Sequence, residues 1–123
     1  MLMVYEKRME DTAEFVGHFE GFVDAICDGA QHGLKPHLVE AYQEHRDWLR
    51  NHCYLVRSQI EDFLPPDSAN EDDFLALFAA PDLATQLDQD DGNMISRIVR
   101  TREALDAYAE HLQQLIDREK SCS

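Results

Sequence analysis

The sequence predicts an all-α fold: an antiparallel bundle of three long helices and one short helix, four-helix-bundle-like in outline. Three observations carry that expectation. Apolar residues recur with helical spacing in three long segments. No segment alternates with period two for long enough to form a strand. Only four prolines and five glycines interrupt the 123 residues. A chain of this length holds one domain and one core, so 1–123 is read as a single domain with an acidic connecting segment over 65–93.

The first helix is expected from about residue 5 to 30, with Phe15, Phe19, Phe22 and Ile26 on one face. Gly29 and Gly33 are stop signals, and Pro36 suits the first turn of the next helix because its missing N–H has no partner there anyway. The second helix is expected over about 36–64, with Leu38, Tyr42, Leu49, Val56, Ile60 and Phe63 on its inner face and Pro65-Pro66 ending it. Ser68-Ala-Asn-Glu71 has the pattern of a capping box before a short helix. Pro81 interrupts that helix, residues 82–87 supply one more turn, and Asp90-Asp91-Gly92-Asn93 is turn chemistry. The last helix is expected over about 94–119, on Ile98, Leu105, Ala109, Leu112 and Ile116.

Charge is the most informative feature of the composition. Twenty-five acids against eleven bases leave a net charge of −14, which opposes direct binding to nucleic acid or to an anionic membrane. No apolar run approaches the ~18 residues of a membrane span. The first residues turn charged at Glu6-Lys7-Arg8, so no signal-peptide core is expected there. Cys27, Cys53 and Cys122 are odd in number and lack C-x-x-C spacing, and they read as free thiols of a cytoplasmic protein. The excess acid is concentrated: residues 58–96 hold ten acids and no Lys, Arg or His, whereas 97–123 hold five acids and five bases.

Several polar residues fall on faces expected to be buried. His45 and His52 lie on the apolar stripe of the second helix, and with His18 and Arg102 they form a candidate ligand-binding set. The plain alternative is that the histidines are structural groups with hydrogen-bond partners. Seven residues of helix separate His45 from His52 by roughly 10 Å, too far to share one ion. The Glu-x-x-His pattern of carboxylate-bridged di-iron bundles is missing, so neither a metal site nor a cofactor is specified. Arg102 on the core face is expected to pair with a carboxylate of the acidic middle segment or to snorkel at the bundle's end; otherwise it would receive an anion at a pocket mouth. Arg46, Arg50 and Arg57 are placed on a flank of the second helix, where the same acids could neutralise them. Ala13, Gly17, Gly21, Ala25 and Gly29 recur every four residues, a stripe suited to close helix approach, and a homodimer through Gly17, Gly21 and Ala25 is one expected use of it.

No nucleophile elbow, Walker loop or dinucleotide fingerprint is present. The nine residues Arg46-Asp47-Trp48-Leu49-Arg50-Asn51-His52-Cys53-Tyr54 resemble the Arg–polar…His motif of HEPN-type ribonucleases, which are also small and all-α. The resemblance implies RNA cleavage with Arg46 and His52 as its pair. It departs from that pattern in setting Arg46 in mid-helix, on a different face from His52.

The leading expectation is a non-catalytic interaction or regulatory protein of adaptor or inhibitor type. Asp67, Glu71, Asp72, Asp73, Asp88, Asp90 and Asp91 would dock a basic protein partner, including a nucleic-acid-binding protein whose site they would fill by charge mimicry. The alternative is a bundle that binds a metal, haem or small anion through His18, His45, His52 and Arg102. A HEPN-like ribonuclease is the third reading.

Overall fold

The computed structural model describes residues 1–60, 78–88 and 93–121, and of residues 53–60, 93 and 94 it describes the backbone alone. The chain is all-α, and no strand occurs among the described residues. Its helices are α1 (Leu2–His32), α2 (Pro36–Ile60), α3 (Leu83–Asp88) and α4 (Asn93–Ser121).

The helix ends follow from local chemistry. α1 stops at Gly33, whose φ of 87° is the left-handed conformation that only glycine adopts cheaply, and the Gly33 N–H closes the helix on the Gly29 carbonyl at 2.9 Å. The Lys35 carbonyl accepts from the N–H groups of Leu38 and Val39, with Pro36 at the first helical position as expected. α3 follows Pro81, and the carboxylate of Asp82 caps it by accepting from the Thr85 N–H at 2.8 Å. That bond holds the Asp82 carboxyl below its ordinary range. The capping box at 68–71 and the end of the second helix beyond Ile60 lie outside the described residues.

α1 is the element that all the others touch, while α2 and α4 meet each other little. Phe15 faces Trp48, His18 faces His45 and Phe22 faces Tyr42, so α1 and α2 run antiparallel. Where their side chains are described, the expected apolar faces build the core; Val56, Ile60 and Phe63 lie outside the residues whose side chains are described. Phe15, Phe19 and Phe22 are fully buried, as are Tyr42 and Leu49 of α2 and, from α4, Leu105, Tyr108 and Leu112. Each such phenylalanine contributes about 2–3 kcal/mol of apolar burial. Phe22 stacks on Tyr42 at 5.1 Å and meets Phe78 edge-on at 5.4 Å, which draws the 78–88 segment onto the α1–α2 pair.

The small-residue stripe is largely consumed within the chain. A Cβ at Gly21 would lie 2.5 Å from Nε2 of His45, one at Gly29 would lie 3.0 Å from Leu83, and Ala25 is buried. Gly17 faces open space, and Ala13 is exposed. Of the three residues expected at a homodimer contact, Gly21 and Ala25 pack within this chain and Gly17 does not.

Candidate functional site

The inward polar residues gather at two places along α1. At the first, His18 comes from α1, and His45, Trp48 and His52 line up one turn apart on α2. The His18 imidazole stacks on the Trp48 indole (4.0 Å between centroids, 13° between planes), and His52 stacks on the same indole (4.2 Å, 13°). His45 meets His18 edge-on, with the two Nδ1 atoms 3.0 Å apart. His52 donates its Nδ1–H to the Trp48 carbonyl, since a carbonyl can only accept, at 2.8 Å. All four rings are half-buried. Burial, and then the neighbouring His45, hold the His18 pKa below its ordinary 6.5.

At the second place, Arg102 of α4 grips Glu20 of α1. Its Nε donates to Oε1 at 2.8 Å and a terminal nitrogen donates to Oε2 at 2.9 Å, a two-point fork. This corrects the expectation of a counter-charge from the acidic middle segment. Glu20 sits on the neighbouring helix at the right height, and the pair is half-exposed, so the arginine avoids the cost of full burial. Hydrogen bonding to Glu20 raises the Arg102 pKa further.

Arg46 is the residue that periodicity misplaced. It is buried rather than on a flank, with its Nε donating to the Phe78 carbonyl at 3.1 Å and a terminal nitrogen donating to Asp47 at 3.0 Å. Beside it the Tyr42 hydroxyl bonds the Ala80 carbonyl at 3.0 Å, with Oε1 of Gln86 at 3.2 Å. These two side chains satisfy carbonyls that the non-helical turn at 78–80 would otherwise leave buried without donors. Arg46 points to that turn while His52 lies on Trp48, so the two ends of the HEPN-like motif do not converge.

Of the seven expected docking acids, Asp88 is exposed at the end of α3. Asp67, Glu71, Asp72, Asp73, Asp90 and Asp91 lie outside the described residues. Among the described residues no three His, Cys, Asp or Glu side chains come together in a group able to hold a metal ion. Of the four candidate ligand residues, the structure joins His18 to His45, places His52 across Trp48 from them, and commits Arg102 to Glu20. No described helix is long and apolar enough to cross a membrane.

Comparison of the chain with protein-family models, curated proteins and solved structures finds no match to any of them.

Proposed function

We propose that this chain is a non-catalytic interaction protein of adaptor or inhibitor type, an antiparallel bundle whose acidic stretch 58–96 docks on a basic protein partner. The observation that carries the reading is ten acids without a single Lys, Arg or His across those residues. The two inward arginines support it, because Arg46 and Arg102 take their carboxylates from Asp47 and Glu20, acids outside the stretch. Concentrated charge of this kind accelerates encounter with a partner of opposite sign, and a nucleic-acid-binding protein is the partner type whose own site matches it. The inward imidazoles and guanidiniums described above are held by stacking, helix carbonyls and carboxylates, as structural groups are.

The experiment replaces Asp67, Glu71, Asp72, Asp73, Asp88, Asp90 and Asp91 with their amides and compares proteins captured from lysate at low and high salt. The expected result is loss of a basic partner with the helical circular-dichroism signal unchanged. Capture of the same proteins by the neutralised variant overturns the reading, as does a wild-type chain that retains no basic protein at low salt.

A further inference from the structure

A hydrogen bond between two imidazole Nδ1 atoms requires one to carry a hydrogen and the other to present a bare lone pair. His18 and His45 stand in that relation at 3.0 Å across the α1–α2 contact. His18 lies flat on Trp48, and the Nε2 edge of His45 is pressed toward Gly21, where even a methyl group would not fit. Two nitrogens fall short of the three or four protein ligands that zinc sites use, and no third donor joins them among the described residues.

We propose that His18 and His45 form a proton-operated latch between α1 and α2, closed while the pair carries at most one added proton and released when both rings are charged. In the neutral pair one Nδ1–H donates to the other Nδ1. A first added proton goes to the Nε2 of the donor ring, and the bond becomes an imidazolium–imidazole bond, which is shorter and stronger. A second proton has to enter on the acceptor Nδ1, the atom that faces the donor. Two N–H groups then oppose each other at 3.0 Å with like charges behind them, and the contact cannot persist.

The charged groups acting on His18 belong to both helices. Glu14, one turn earlier on α1, and Glu44 of α2 favour its protonation, whereas His45 and His52 of α2 oppose it. Burial adds to the opposition and is the largest influence, holding the His18 pKa below its ordinary value. Release therefore belongs to mildly acidic solution. Its structural effect is to unstack His18 from Trp48 and free the close approach at Gly21.

Trp48 is the chain's single tryptophan and touches His18 directly, so its emission reports the latch. The test titrates wild type, His18→Gln, His45→Gln and His52→Gln from about pH 8 to about pH 5 in a chelator, following Trp48 emission and histidine nitrogen NMR shifts. In wild type the pair should take up its two protons in separate macroscopic steps, with emission changing across the lower one. His18→Gln or His45→Gln should remove the lower step, because the remaining ring has no charged partner, while His52→Gln should keep it. Wild type alone offers a second readout: near neutral pH one of the two rings should carry its hydrogen on Nδ1. Coincident midpoints in wild type overturn the proposal, as does finding both neutral rings protonated on Nε2.

Discussion

The ring of His45 rests against the backbone of Gly21 so closely that a Cβ there would sit 2.5 Å from Nε2. Gly17, one turn earlier on α1, has nothing within 4 Å of the same position. The two glycines therefore respond oppositely to alanine. Gly17→Ala should stabilise the chain by about 0.5–1 kcal/mol through helix propensity alone. Gly21→Ala should destabilise it by about 1–2 kcal/mol net, since the forced displacement of His45 outweighs that gain. Urea denaturation of both variants beside wild type checks the pair, and equal effects would contradict the close approach.

Thr101 is fully buried in α4, and its hydroxyl finds no partner among the described residues. A buried polar atom left without a bond costs stability that an isosteric methyl does not. Thr101→Val is expected to be neutral or to stabilise by up to about 1 kcal/mol, read as a rise in melting temperature.

Burial pushes the Tyr42 hydroxyl up to about 12 from an ordinary 10.0. The unfolded chain therefore releases this proton first. Its contribution to stability is intact below pH 10 and is lost as pH climbs through the folded value near 12. Tyr42→Phe should cost about 1–2 kcal/mol at neutral pH by leaving the Ala80 carbonyl without its donor. It should also flatten the alkaline loss of stability, which denaturation at stepped alkaline pH measures.

The Arg102–Glu20 fork is half-exposed, so solvent screens much of its attraction. A double-mutant cycle with Glu20→Gln and Arg102→Gln should return a coupling of about 0.5–1 kcal/mol that shrinks as salt is added. A coupling near zero at low salt would make the fork an incidental contact.

Helix existence and most helix ends were legible because they depend on neighbours in sequence. Pro36, Gly33 and the Pro81–Asp82 start of α3 act within one turn of chain, and the Phe15–Phe19–Phe22 face needs only the helical repeat. Pairings between helices were not legible. Periodicity shows which face a residue occupies but not the height at which two helices meet, so Glu20 as the partner of Arg102 and His18 as the partner of His45 had no signal. Trp48 was overlooked because its role is to be stacked upon from both sides, which follows only once α1 is laid against α2. Arg46 went to a flank because the Phe78 carbonyl that takes its Nε–H belongs to an irregular turn.

The central place of α1 also orders events in time. His18 and His45 are 27 residues apart, whereas Glu20 and Arg102 are 82 apart, so the α1–α2 hairpin closes a far shorter loop than the α1–α4 docking. As the chain emerges from the ribosome, α1 and α2 can pair while α4 is still unmade. The face of α1 that α4 will cover then stands open, and a nascent chain is vulnerable there to association with its neighbours. Substitutions on the α1–α2 face should accordingly slow folding, and those on the α4 face should chiefly hasten unfolding.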